Sequence, residues 1–154
     1  MEYVECPRVW EPLSGQPGLF LAGGITGCPD WQIYAVRKLT GTNYAVLNPR
    51  REDWPIDDKD ASEKQIVWEH QHLRLAHAIL FWFCKETIQP IALYELGAWS
   101  MMNKPLFIGV EPGYQRAVDV ELQTHLVRPE VIIHNSLDQL IREVVKFERL
   151  LRQS

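Results

Sequence analysis

The stretch Ala78-Ile79-Leu80-Phe81-Trp82-Phe83-Cys84 is the longest unbroken apolar run in the chain. It is far shorter than the ~20 residues that a membrane-spanning helix needs. Successive side chains of a strand point to opposite faces of the sheet, so a strand that is apolar throughout needs cover on both faces. The run therefore predicts a central strand, over residues 79–83, in a sheet with helices on both sides.

Around this strand, short apolar runs alternate with longer helical patterns, which is typical of a parallel sheet with crossover helices. Further strands are predicted over residues 19–22, 45–47, 105–110 and 131–133. Helices are predicted over residues 31–39, 62–76, 90–103 and 137–152. The predicted fold class is therefore α/β, a single-domain three-layer sandwich with a mainly parallel central sheet of about five strands. The order of the strands does not follow from the pattern.

Local signals define the helix starts. Asp30 can cap the first helix by accepting from its free amides, and Ser62 with Gln65 three residues later predicts a capping box. Pro90 suits the first turn of the third helix. Residues 1–17 contain three prolines and are predicted to be an extended arm, so that residues 18–154 form the domain.

Length and charge restrict the kind of protein. A chain of 154 residues fits one domain, and a net charge of −4 argues against nucleic acid as the partner. Cys6, Cys28 and Cys84 are widely spaced and predict neither a disulfide framework nor a zinc site. The first residues contain no basic segment and no apolar block, so we expect no secretory signal, no membrane partner and a cytoplasmic location.

Glu95 is the first candidate catalytic residue, because it is the only charged residue between Thr87 and Asn103. Its predicted helix follows the central strand, so the first turns lie at the carboxyl edge of the sheet, where open α/β sheets bind ligands. The helix amides and dipole are expected to favour an ionised carboxylate. The alternative is a carboxylate that reaches solvent or pairs with an arginine.

Glu69 is the second candidate. In a helix, Ile66, Glu69, Leu73 and Ala76 fall on one stripe, which is expected to face the sheet. The alternative is a structural ion pair, with three candidate partners: Arg50, Arg51 and Arg74. If both glutamates reach one cavity, unlike surroundings would separate their pKa values, so that one is an anionic nucleophile and the other a protonated general acid.

The turn Ala22-Gly23-Gly24-Ile25-Thr26-Gly27 can bring backbone amides close to a ligand, although a tight turn alone also explains it. It matches neither the dinucleotide fingerprint nor the phosphate-binding loop. Base stacking is a further hypothesis, assigned to at least one of Trp31, Trp54 and Trp68.

Five segments together resemble the nucleoside 2-deoxyribosyltransferase family, in particular its less studied branch, over about residues 18–135. These segments are Leu19-Phe20-Leu21-Ala22-Gly23-Gly24-Ile25, Pro29-Asp30-Trp31-Gln32, Leu47-Asn48-Pro49-Arg50-Arg51-Glu52-Asp53-Trp54, Gln65-Ile66-Val67-Trp68-Glu69 and Ile91-Ala92-Leu93-Tyr94-Glu95-Leu96-Gly97. The resemblance implies a flavodoxin-like, Rossmann-like fold. It also implies a homo-oligomer, a dimer or larger, whose active sites are shared between subunits.

The resemblance further implies cleavage of the N-glycosidic bond of a nucleoside or nucleotide and transfer of the sugar to a free nucleobase. Glu95 would attack C1′ to give a deoxyribosyl ester, and Glu69 would handle the proton of the leaving base, with no metal and no cofactor. The substrate-binding residues it implies are Phe20, Gly23, Gly24, Asp30, Trp31, Asn48, Arg50, Gln89 and Asp119.

Some positions depart from the family pattern. Phe20 replaces a tyrosine whose hydroxyl touches the nucleophile, Gln89 replaces an aspartate that holds the substrate, and His77 replaces a frequent aspartate. Glutamine can form hydrogen bonds but cannot carry a charge. Two alternatives therefore stay open: an N-glycosidase that transfers the sugar to water, with Arg50 and Arg51 on a phosphate, and a binding module without turnover.

Overall fold

The computed structural model describes residues 1–13 and 15–153, which form one α/β domain. Its six strands are β1 (Glu2–Glu5), β2 (Gly18–Gly23), β3 (Ala45–Asn48), β4 (Ala78–Phe83), β5 (Leu106–Val110) and β6 (Ile133–His134). Its five helices are α1 (Trp31–Lys38), α2 (Ala61–Leu75), α3 (Pro90–Ser100), α4 (Ala117–Val127) and α5 (Leu137–Leu151). All strand pairs are parallel, in the order β1-β3-β2-β4-β5-β6.

The central strand is β4, as predicted. It pairs with β2 on one side and β5 on the other, and all six of its residues are buried. Phe81 and its neighbours on one face pack against α2, α3 and α4, whereas Leu80 on the other face packs among residues of α1 and α5. The predicted three-layer sandwich is thus confirmed, with one strand more than expected.

The additional strand, β1, comes from the segment that was predicted to be an extended arm. Residues 2–5 pair in register with β3 at the edge of the sheet, and Val4 is fully buried. The strand has only four residues and ends in a glutamate on each side. Such a short edge strand has no alternating pattern long enough to be recognised from sequence.

The capping box predicted at the start of α2 is wrong. Asp60 occupies the N-cap position without a side-chain hydrogen bond. Gln65 is buried instead, where its Nε2 donates to the Pro49 carbonyl at 2.7 Å and its Oε1 accepts from the Cys6 thiol at 2.9 Å. In contrast, the predicted cap at Asp30 is confirmed, because its Oδ1 accepts from the Ile33 amide at 3.0 Å.

The predicted sheet-facing stripe of α2 is wrong in part, because Ile66 is 64 % exposed. The buried side of the helix includes Trp68, His72 and Leu73. His72 is fully buried because both ring nitrogens have partners: Nε2 accepts from the Trp10 amide at 3.0 Å, and Nδ1 lies 2.7 Å from the Trp68 carbonyl oxygen. A polar residue can be buried when its polar atoms have hydrogen-bond partners. Hydropathy alone therefore misplaces the buried side of this helix.

Three smaller differences concern one additional helix and the ends of two elements. Helix α4 occupies a stretch to which the sequence assigned no element, α3 ends three residues before its predicted end at 103, and β6 begins two residues after its predicted start at 131. None of the helices in the described ranges has the length and apolar character needed to span a membrane.

Candidate active site

A cavity of about 420 Å³ lies beyond the carboxyl ends of β2 and β3, between α2 and the start of α3. This volume falls in the range of small-molecule pockets. The carboxyl edge of a parallel sheet is also where open α/β folds place their ligands. The cavity wall is mostly apolar, with Phe20 and Ala22 from β2 and Ile91 and Ala92 from α3.

Glu69 and Glu95 both line this cavity, one from α2 and the other from α3. Among the described residues of the wall, they are the only two with charged side chains. Both are half-buried, and neither forms an ion pair with any residue in the described ranges. The arginine partnership that was the alternative for each glutamate is therefore not formed there.

The pKa values of both carboxyl groups are raised. Burial, and secondarily the negative charge of Glu69, raise the pKa of Glu95 to about 8. Burial also raises the pKa of Glu69, although the Gln65 Nε2, which donates to its Oε1 at 2.8 Å, acts in the opposite direction. Two interacting carboxyl groups titrate as a pair. At neutral pH the pair therefore retains a proton.

The expected helix-dipole effect on Glu95 is wrong. Helix α3 begins at Pro90, which makes Glu95 its sixth residue. The free amides and the dipole act mainly within the first turn. Desolvation at this depth therefore dominates, and it favours the neutral acid.

Gln89 stands at the N-cap of α3 with φ 55° and ψ 59°, and it is the only non-glycine residue with positive φ in the described ranges. Its Nε2 donates to the carbonyls of Cys84 at 2.6 Å and Thr87 at 3.2 Å, which fixes the orientation of the amide. Its Oε1 is buried in the cavity wall without a partner. A strained backbone and an orphaned acceptor are both features that cluster at ligand sites.

The two predicted glycines are required by close packing. Gly23 has φ +151°, and a Cβ there would lie 2.2 Å from the Trp82 carbonyl oxygen. A Cβ on Gly24 would lie 2.2 Å from the Cys28 sulfur and 2.8 Å from Cδ of Gln89. Both glycines therefore let the backbone form the cavity wall directly.

The carbonyl of Gly24 is held by two residues of α1. It accepts from Nε1 of Trp31 at 3.0 Å and from Nε2 of Gln32 at 3.1 Å. Both side chains are buried behind the turn and do not line the cavity. Gln32 was not singled out from the sequence, and a polar residue on the buried side of a short helix is the signal that would have identified it.

Other predicted substrate residues have structural partners outside the cavity. Arg50 donates to the carbonyls of Cys28 and Pro29, and its Nε lies 3.7 Å from Asp30. The Oδ1 of Asn48 accepts from the Arg50 amide at 3.0 Å. These three predicted residues, Asp30, Asn48 and Arg50, therefore brace the loops behind the site.

Asp119 lies on α4, where it pairs with Arg116 at 3.0 Å and lines a separate pocket. Of the three tryptophans considered for stacking, Trp68 is buried with its Nε1 donating to the Arg8 carbonyl at 2.8 Å. Trp54 is 48 % exposed and lines a chamber next to the main cavity. The structure thus brings Trp54 to the chamber beside the main cavity, whereas Trp31 and Trp68 line neither of these two spaces.

Sequence reasoning missed two hydroxyl groups of the wall, those of Thr26 and Thr87. Thr87 Oγ1 lies 3.3 Å from the sulfur of Cys28, which joins the loops after β2 and β4. The signal that would have found them is their place in the loops that follow two neighbouring strands, β2 and β4.

Comparison with known proteins places the chain in a family. A protein-family model described as "Nucleoside 2-deoxyribosyltransferase like" matches residues 16–114, a range that contains both glutamates, Gln89 and the glycine turn. A search of curated proteins finds no match to the chain.

Proposed function

The chain belongs to the nucleoside 2-deoxyribosyltransferase-like family, and we propose that it cleaves the N-glycosidic bond of a 2′-deoxynucleoside and transfers the sugar to another nucleobase. The observation that carries the proposal is the placement of Glu69 and Glu95 in one cavity without any other charged group in its described wall. Retaining glycosidases use such a pair, in which one carboxylate is the nucleophile and the other carries the proton.

The reactive form of the pair carries its proton on Glu69. In this form the carboxylate of Glu95 attacks C1′ of the sugar in the first step. The bond between C1′ and the base nitrogen breaks, and its electron pair leaves with the base. The carboxyl group of Glu69 gives its proton to the base, so that the base departs neutral. The products are a deoxyribosyl ester on Glu95, an ionised Glu69 and the free base.

In the second step, a nitrogen of the incoming base attacks C1′ and the ester bond to Glu95 breaks. Glu69 accepts the proton that the incoming base loses, which returns both carboxyl groups to their starting states. The Glu95 pKa of about 8 and the raised pKa of Glu69 suit this exchange, because the pair retains a transferable proton at neutral pH. The same acid then acts as base in the return step.

Gln89 and the glycine turn are the proposed sugar-binding elements. The unpartnered Oε1 of Gln89 can accept from a sugar hydroxyl, and Gly24 lets that sugar approach the backbone. Phe20 presents a buried ring in the cavity wall in place of a hydroxyl group. Because no cation lines the described cavity wall, the site suits a neutral nucleoside better than a nucleotide.

The second candidate function is a nucleoside-binding module without turnover, which Phe20 and the uncharged Gln89 favour. Transfer of the sugar to water is the third outcome. We propose that these activities take place in the cytoplasm.

A second copy of the chain is the proposed occupant of the exposed apolar surface of α3 and α4. Tyr94 is 78 % exposed, and Val118 and Leu126 are 71 % and 72 % exposed. The surface continues to the cavity rim at Ile91, and it carries Asp119. Sedimentation of the wild type as a dimer or larger assembly supports this occupant, whereas a monomer at micromolar concentration contradicts it.

The enzymatic proposal is tested by incubation with a 2′-deoxynucleoside and a different free base. Formation of the exchanged nucleoside, lost in Glu95→Gln and kept in Glu63→Gln, supports it. Glu63 lies in the first turn of α2 and is exposed, which makes it a matched control. Release of the base without an exchanged product indicates transfer to water, and tight binding without either product indicates a binding module.

A further inference from the structure

A second chamber of about 400 Å³ adjoins the main cavity on the Glu69 side. Glu69 lines both spaces, together with Ile25, Thr26 and Pro49, whereas Glu95 lines only the main cavity. The two spaces are therefore adjacent compartments, and the carboxyl group of Glu69 faces both of them.

Arg51 and Trp54 line only this second chamber. The guanidinium carbon of Arg51 lies 5.5 Å from the centroid of the Trp54 ring, within the range of a cation–π contact. Within residues 1–13 and 15–153, Arg51 forms neither a hydrogen bond nor an ion pair, and its Nε is buried without a partner. A half-buried guanidinium with free donors is a ready site for an acceptor on a ligand.

The direction of the proposed reaction assigns this chamber to the base. Glu95 must lie at C1′ of the sugar, and Glu69 must reach a nitrogen of the leaving base. The base therefore extends from Glu95 towards Glu69, and the space that continues past Glu69 receives its far edge. Gln89 and Gly24 line the main cavity but not the second chamber, and they are left for the sugar.

We propose that Arg51 and Trp54 form a base subsite that selects bases with an exocyclic carbonyl oxygen, such as 6-oxopurines, over bases with an amino group at that position. Arginine donors match the O6 acceptor of such a purine, whereas the amino group of adenine is itself a donor. The proposal deepens the base-transfer function and rests on it.

The contact also has a role in the chemistry. When the bond to C1′ breaks, the electron pair that stays with a 6-oxopurine is delocalised to its carbonyl oxygen. The positive charge of Arg51 stabilises that oxygen until the proton from Glu69 arrives. The ring of Trp54 supports the guanidinium through its face and limits the side-chain freedom of Arg51.

The first test measures binding of free hypoxanthine and free adenine by calorimetry, since the two bases differ at position 6. The wild type is expected to bind hypoxanthine about tenfold more tightly, the size of a hydrogen bond from a charged donor. Arg51→Met is expected to remove the difference and Arg51→Lys to reduce it. Arg74→Met, at an exposed position on α2, is expected to keep it. This measurement does not depend on turnover.

The second test compares kcat/KM for 2′-deoxyinosine and 2′-deoxyadenosine with the same acceptor base. Arg51→Met should lower the value for 2′-deoxyinosine about tenfold and leave that for 2′-deoxyadenosine within about twofold. Equal losses for both donors in an active enzyme would overturn the base subsite while the proposed function stands. Equal affinity of the wild type for both free bases would also overturn it. So would a preference for 2′-deoxyinosine 5′-monophosphate that Arg51→Met abolishes, because the guanidinium would then serve a phosphate.

Discussion

Glu69 on α2 and Glu95 on α3 line one cavity, in which burial, and secondarily the charge of Glu69, raise the pKa of the Glu95 carboxyl group. The two helices follow different strands, so the pair exists only once the sheet has formed. Neither acid has a cationic partner among the described residues. The proton affinity of Glu95 is therefore set by burial and the charge of Glu69, and that of Glu69 by burial and the Gln65 hydrogen bond. Such perturbed carboxyl groups are typical of acid–base and nucleophilic roles.

The pH dependence of exchange follows from this pair. Activity needs one ionised and one protonated carboxyl group, so kcat/KM is expected to be bell-shaped. The alkaline limb is expected near pH 8, where the pair loses its remaining proton. Glu69→Gln should lower the rate by roughly 10²–10⁴-fold and abolish the alkaline limb, because no transferable proton remains to be lost. Initial rates of base exchange from pH 4 to 10, for the wild type and for Glu69→Gln, measure the pH profile and the loss of rate. An alkaline limb that persists in Glu69→Gln would contradict the assignment.

The stability of the protein should depend on pH through the carboxyl group of Glu95. The pKa of Glu95 is raised from 4.5 in the unfolded chain to about 8 in the folded protein. Its favourable contribution is fully present below pH 4.5 and is lost as the pH rises through 8. Relative to wild type, Glu95→Gln should therefore gain roughly 1–3 kcal/mol in free energy of unfolding between pH 5 and pH 9. Urea denaturation at the two pH values measures this gain, and a pH-independent difference would refute the shift.

Two substitutions of Gln89 separate the cost of its backbone conformation from the role of its side chain in activity. Gln89→Ala and Gln89→Gly both remove the amide that contacts Cys84 and Thr87, but only glycine adopts φ 55° without cost. The glycine variant should therefore be about 1 kcal/mol more stable than the alanine variant. Both should lose exchange activity by a similar factor. If the glycine variant regains wild-type activity, the side chain has no role in substrate binding.

Gly24 and Gly97 form a matched pair of positions, because alanine is expected to lower the stability at one and raise it at the other. Gly24→Ala should destabilise the protein and lower activity, because the new Cβ collides with the Cys28 sulfur and displaces Gln89. Gly97→Ala lies in α3 with nothing within 4 Å of its Cβ, and it should stabilise the protein by roughly 0.5–1 kcal/mol. Thermal unfolding and exchange rates of both variants check this. Equal effects on stability would show that the packing at Gly24 is not rigid.

Much of the fold was predictable from local patterns. The apolar run of β4 and the cap at Asp30 depend on neighbouring residues alone, and both are confirmed. The edge strand β1 was not predictable, since its stability comes from pairing with β3, which lies some 40 residues away. The same holds for Gln65, whose partners Pro49 and Cys6 are distant in sequence and override the predicted capping box.

A site residue was predictable from sequence where a charged side chain stands among apolar neighbours. Glu95 stands alone in an apolar helix, and that conflict identified it as a candidate. The sign of its pKa shift was not predictable, because it depends on depth along α3 and on the charge of Glu69. Arg50 and Arg51 are adjacent and alike in sequence, yet Arg50 braces a loop and Arg51 faces a chamber. Only the three-dimensional path of the loop separates them.

The most direct measurement is intact-mass spectrometry of the protein mixed with 2′-deoxyinosine, followed by peptide mapping. Trapping of the ester should succeed in the absence of an acceptor base, when the second step is slow. The account predicts a mass increase equal to one deoxyribosyl group, located on Glu95 and absent from Glu95→Gln. Base exchange without an adduct on Glu95, or an adduct on a different residue, would contradict it.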